Sequence, residues 1–119
     1  MILALLLQVG TLFGPLPPQD PSNPPPAIYF ITKDGTSYTG TTKAIDIHVA
    51  DDKGVHYCEL WVDGGWYTAI RLNQPYRLSA TVRFTLQGTL PKGDHTLQAM
   101  CSDAGNYVGR ANAITVTRK

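Results

Sequence analysis

From Val55 onward the chain alternates apolar and polar residues with a period of two, and short runs of Asp, Asn, Gly and Pro interrupt the alternation at regular intervals. The blocks are Val55-x-x-Cys58-Glu59-Leu60-Trp61-Val62-Asp63-Gly64, then Pro75-Tyr76, then Gly93-Asp94-His95-Thr96-Leu97-x-Ala99-x-Cys101-x-Asp103, and finally Ile114-Thr115-Val116-Thr117. A period of two sends successive side chains to opposite faces, so each block reads as a strand with one buried face. Several such strands within about 90 residues, separated by tight turns, predict an antiparallel all-β sandwich. No segment carries a helical period over a useful length.

Strands are expected over 27–32, 44–50, 55–62, 66–72, 79–87, 96–102 and 111–117. The turns fall at Asp34-Gly35, Asp51-Asp52-Lys53-Gly54, Asp63-Gly64-Gly65, Asn73-Gln74-Pro75, Pro91-Lys92-Gly93-Asp94 and Asp103-Ala104-Gly105-Asn106. Each contains residues that tolerate positive φ, preset φ, or hydrogen-bond their own backbone.

Charge narrows the function. Net charge is +1, charged residues make up only 16% of the 119 residues, and the pI is about 7.8. A nucleic-acid-binding domain usually shows a basic stripe or a pI above about 9. The Lys and Arg residues here are scattered, so nucleic acid is not an expected partner.

Ahead of the expected sandwich (27–119) lie two segments of different character. Residues 1–13, MILALLLQVGTLF, are almost wholly apolar, and no charge appears before Asp20. A secretory signal fits poorly, because no basic residue precedes the run and no small-x-small site follows it. A membrane span needs about 20 apolar residues, so a membrane is not the expected partner either. Burying Ile2, Leu3, Leu5, Leu6, Leu7, Leu12 and Phe13 would contribute roughly 1.5–3 kcal/mol each. The segment is therefore read as an assembly anchor that docks into a partner protein or into copies of the chain. Residues 14–26, GPLPPQDPSNPPP, form a Pro-rich linker. In polyproline II at about 3.1 Å per residue it would reach roughly 40 Å.

The run from Val55 to Thr117 resembles the bacterial immunoglobulin-like domains, whose signature is V-x-x-V-E-F-Y-V-D-G, then P-Y, then G-x-H-T-L-x-A-x-A-x-D-x-x-G-N, ending in I-T-V-T-V. Glu59, Val62, Asp63, Gly64, Pro75, Tyr76, Gly93, His95, Thr96, Leu97, Ala99, Asp103, Gly105 and Asn106 match it. The chain departs from the pattern at Cys58, which stands for a core valine, at Cys101, which stands for a core alanine, and in a shorter loop after Ser102. The resemblance implies an immunoglobulin-like Greek-key sandwich of about seven strands. Such domains occur as accessory modules of secreted polysaccharide-degrading enzymes, as adhesin repeats and as decorations on bacteriophage particles.

Candidate sites follow from that frame. In this fold the strands carrying Cys58 and Cys101 are neighbours in one sheet and both sulfurs face inward. A disulfide between them is open, with a free buried pair slightly favoured, since a buried thiol packs as a small hydrophobe. Asp51 and Asp52 share an end of the sandwich with Asp103 and Asn106, and their oxygens are a minor candidate for calcium. Turns favour the same residues for their own reasons, so no metal and no cofactor are expected. His95 opens a strand and is expected to bond a turn. His48 and His56 belong to no catalytic motif, and no nucleophile motif is present, so the chain is expected not to be an enzyme. By parity Tyr57, Trp61 and Met100 point outward, with Trp66 and Tyr67 at the next hairpin. Together they predict an aromatic binding face.

The expected function is a non-enzymatic structural or binding module on a large assembly, a capsid, a tail or copies of itself. The specific expectation is a bacteriophage head- or tail-associated decoration protein at the virion surface, with cell-surface glycan as a further contact. A self-assembling subunit of an extracellular filament or adhesin and a secreted carbohydrate-binding module are the alternatives.

Overall fold

Strand β3, Thr42–Val62, organises the domain because it belongs to both layers. In the computed structural model, which describes residues 25–72, 77–103 and 107–119, its first part pairs with β1 (Ala27–Phe30) and β5 (Arg77–Gln87). Its second part pairs with β4 (Gly65–Arg71) and β6 (Gly93–Asp103). β6 continues to β8 (Ile114–Arg118) and β7 (Val108–Arg110), and β8 carries β2 (Thr36–Tyr38) on its outer edge. The layers are thus β1–β3–β5 and β4–β3–β6–β8–β2, an all-β immunoglobulin-like sandwich. The described residues contain no helix, and hence none long and apolar enough to cross a membrane. The N-terminal segment, including Ile2, Leu3, Leu5, Leu6, Leu7, Leu12 and Phe13, lies outside the described residues, as does most of the linker.

The core comes from the inward parity of each strand. Ile45, Ile47 and Val49 of β3 meet Val82, Phe84 and Leu86 of β5 on one layer, all at most 3% exposed. Cys58 and Leu60 of β3, Leu97, Ala99 and Cys101 of β6 and Val116 of β8 supply the other layer. Burying each large side chain contributes roughly 1.5–3 kcal/mol.

Residues 44–50 and 55–62 are one strand here, where the sequence predicts two strands and a turn. The turn chemistry is nevertheless present inside the strand. Asp51 Oδ2 accepts the Lys53 N–H at 2.8 Å, Gly54 has φ +95°, and the pairing with β5 shifts register between Ala50 and Val55. This kink carries β3 from one layer to the other: the ladder with β5 skips residues 51–54 and resumes at Val55, while β3 itself runs on. A second irregularity follows at His56, the extra residue between the pairs Val55–Asp103 and Tyr57–Ser102. The bulge switches the buried parity from odd numbers, ending at Val55, to even numbers from Cys58 onward.

Strand β2 has no counterpart among the expected strands. It pairs parallel with β8, and Asp34 Oδ1 accepts the Thr115 N–H at 2.7 Å beside it. The expected 111–117 strand starts later, as β8 at Ile114, and the short β7 that precedes it has no counterpart among the expected strands; both pair with β6.

An aromatic outer face on the β4–β3–β6 layer

The outer face of this layer is built by the parity opposite to the core. Tyr57, Glu59 and Trp61 alternate with buried Cys58, Leu60 and Val62. In register, Tyr57 lies between Arg71 and Ser102, Glu59 between Ala69 and Met100, and Trp61 between Trp66 and Gln98. The side chains interlock. Trp61 Nε1 donates to Glu59 Oε1 at 3.1 Å, and the Arg71 guanidinium sits 5.9 Å from the Tyr57 ring centre. Arg71 Nη1 also donates to His56 Nε2 at 2.9 Å. Burial pushes the Glu59 carboxyl above the ordinary carboxylate range, against the Trp61 hydrogen bond that lowers it. Burial likewise raises the Tyr57 phenol, with the nearby Glu59 charge adding to it.

Trp66 is 58% exposed, and its partner Trp61 is half-buried. A cross-strand pair of this kind places the two Cβ atoms about 4.5–5.5 Å apart, so the two indoles stand side by side in register, with Glu59 and Gln98 beside Trp61 and Arg71 at the Tyr57 end of the face.

Two residues expected on this face are placed differently. Met100 has the outward parity but is buried, between Glu59 and Arg110 in register, so it supports the face without presenting itself. Tyr67 turns inward. It is the extra residue of β4 between the pairs Leu60–Thr68 and Trp61–Trp66, and this bulge rotates it onto the core. Its hydroxyl accepts the Gln87 N–H at 2.8 Å, joining the edge of β4 to the edge of β5. Glu59 was within reach of sequence reasoning, since it shares the outward parity of Tyr57 and Trp61. Gln98 and Arg71 required the register.

The two cysteines are joined. Cys58 stands directly opposite Cys101, with Cα atoms 4.0 Å apart and both residues fully buried. The free pair that the sequence slightly favours is therefore not what forms, because the register puts the inward sulfurs face to face.

At one end of the sandwich Asp51 and Asp103 are both buried. Asp103 Oδ1 accepts the Tyr107 N–H at 2.9 Å, so it closes its own loop. Burial, reinforced by the charges of Asp103 and Asp52, raises the Asp51 carboxyl above its ordinary value, against the hydrogen bonds from Lys53 and Gly54. Asp52 is exposed, and Asn106 lies outside the described residues. Among the described residues no group of three or more His, Cys, Asp or Glu could hold a metal ion.

The opposite layer carries a smaller exposed patch. Tyr29 is 58% exposed with its ring 5.3 Å from His48, and Arg83 pairs with Asp46 through Nε at 2.8 Å and Nη2 at 3.0 Å.

The two layers joined by β3 form an all-β sandwich of the immunoglobulin-like and fibronectin III-like fold. Solved structures agree on the fold. The fibronectin(III)-like modules of Clostridium thermocellum CbhA match with a TM-score of 0.59 at 14% identity, over 78% of this chain and 97% of theirs. The CARDB domain of the Pyrococcus furiosus PF1109 protein matches at 0.57 and 13% identity, over 80% of this chain and 89% of that domain. A Jonesia denitrificans lytic polysaccharide monooxygenase matches at 0.53 and 22% identity, over 71% of this chain but only 58% of the enzyme. No protein-family model and no curated protein matches the chain in sequence.

Proposed function

We propose that this chain is a non-enzymatic structural and binding module that attaches to a large extracellular assembly through residues 1–13 and displays the outer face of the β4–β3–β6 layer. The assembly is a bacteriophage particle, on which the chain is a head- or tail-associated accessory, and the displayed face meets glycans of the host surface.

The observation that carries the binding role is the exposed Trp66 in register with Trp61. Indole faces stack on the C–H faces of sugars, and the bordering Glu59, Gln98 and Arg71 supply the donors and acceptors that hydroxyl groups need. Trp61 is held by Glu59, so less side-chain freedom is lost on binding. The buried disulfide suits an oxidising, extracellular setting. A non-enzymatic role is supported by the employment of the polar residues: Asp63, His95, Asp34 and Asp103 each hold backbone or turn geometry. The particle-bound role rests on the apolar segment, the Pro-rich linker and the sequence resemblance.

A photo-crosslinking residue at Leu6 in the full-length chain, followed by mass spectrometry of the products, tests the attachment. A distinct shell- or tube-forming protein among the products supports the reading. Products containing only this chain make it a filament subunit, and lipid adducts remove both assembly readings. For the face, Trp66→Ala should abolish retention on host-surface polysaccharide and leave the melting temperature within a few degrees. Undiminished retention removes this face from the mechanism.

A further inference from the structure

The ring of His95 bridges two turns at one end of the sandwich. Nδ1 lies 2.7 Å from Asp63 Oδ2, in the β3–β4 turn, and Nε2 lies 2.7 Å from the carbonyl oxygen of Pro91, in the turn ahead of β6. Both neighbours are acceptors. A carbonyl has no proton to offer, and the Asp63 carboxylate also accepts the Thr96 N–H at 2.9 Å through Oδ1. A neutral imidazole has a single N–H, so it can donate to one of these oxygens and must turn a lone pair toward the other. Only the imidazolium makes both bonds.

We propose that His95 is held as the imidazolium in the folded domain, and that loss of its proton severs the bridge between the β3–β4 turn and the turn that leads into β6. The ring is 5% exposed, so water cannot readily replace the lost partner.

The charges around the ring favour the protonated form. Asp63 faces it from the β3–β4 turn and Asp94 acts on it from its own strand. β8 places uncharged Val116 opposite it, with Arg118 further along opposite Gly93, and Lys92 lies in the adjoining turn. The hydrogen bond to Asp63, then that to Pro91, raise the His95 pKa above its ordinary value, and burial opposes them. Burial alone would raise the Asp63 carboxyl, but its bonds to His95 and Thr96 hold it below the usual range. With the histidine raised, the bridge is intact below about pH 6.5. It is lost as pH climbs through the folded-state value.

The bridge matters because of what hangs on it. Asp63 and Gly64 both have positive φ, +52° and +83°, and form the tight turn between Trp61 and Trp66. Protonated His95 therefore fixes the hairpin that presents the indole pair. That consequence rests on the binding reading above, whereas the bridge does not.

The test is a histidine ring ¹⁵N titration of the full-length chain, with amide exchange of residues 63–66 and 90–94 followed over the same pH range. The expected result is a His95 midpoint above about 6.5, with both ring nitrogens protonated below that midpoint. Exchange protection in both turns should fall about tenfold as the ring deprotonates, after correction for intrinsic base catalysis. His95→Gln should remove that pH step. A midpoint at or below about 6.5, or a ring with one bare nitrogen below that pH, overturns the proposal without any need for the variant to fold. Failure of glycan retention alongside a raised midpoint would remove the binding reading and leave the bridge standing.

Discussion

Cys58 and Cys101 face each other across the antiparallel pairing of β3 and β6, joined through the core and separated by 43 residues in sequence. A bridge closing a loop of that length restricts the unfolded chain by about 4 kcal/mol in the chain-entropy model, and measured values run at about 2–4 kcal/mol. The double variant Cys58→Ala, Cys101→Ala should lose at least that much in urea denaturation, because the removed sulfurs also leave a small cavity. A midpoint unchanged from that of the oxidised parent would show that the bridge contributes nothing.

Tyr67→Phe should cost at most about 1 kcal/mol, the net worth of one hydrogen bond partly open to water. It removes the acceptor for Gln87 N–H and leaves the ring on the core. Polysaccharide retention should be unaffected, since the β4 bulge takes Tyr67 off the aromatic face. Lost retention with unaltered stability would contradict that placement.

Asp51→Asn should be neutral or stabilising at pH 7. Oδ1 of Asp51 is shielded from solvent with no hydrogen-bond partner among the described residues, and burial raises the pKa of the carboxyl. A carboxyl raised on folding makes the native state less stable as pH rises from about 3.9 through the folded-state value. The amide keeps an oxygen for Lys53 N–H and carries no charge. Melting temperatures of parent and variant between pH 4 and 7 check this: the parent should fall relative to the variant across that range. The opposite slope refutes it.

Gly109→Ala should destabilise by about 1–3 kcal/mol. A Cβ at Gly109 would run into the carbonyl group of Pro26, where the linker meets the sandwich, and both groups are backbone. Gly65→Ala is the control, because a Cβ there meets only Val62 O at 3.7 Å. It should stay within about 0.5 kcal/mol of the parent. Equal urea midpoints for the two variants would show that the contact with Pro26 is not tight.

Alternation in the sequence by itself determined that the chain forms strands, and which side chains point inward along most of them. Ile45, Ile47 and Val49, Leu97, Ala99 and Cys101, and Ile114 and Val116 are all buried as their period requires. That much is local, since the period of two is a property of the extended backbone. His95 could likewise be assigned to a turn from its position, but not the two acceptors on opposite sides of its ring.

Pairing decided the rest. The kink at 51–54 keeps β3 continuous because β5 and β6 receive its two halves, and no local signal distinguishes that kink from a chain-reversing turn. Single extra residues at His56 and Tyr67 reverse parity, so Tyr67 leaves the aromatic face while Trp66 stays on it. β2 exists only because β8 offers an edge to a short polar segment. The disulfide forms because Cys58 and Cys101 share a register position, and Met100 is covered because Glu59 and Arg110 flank it. Register and bulges are relations between distant strands, so they are settled only when the two layers close on one core.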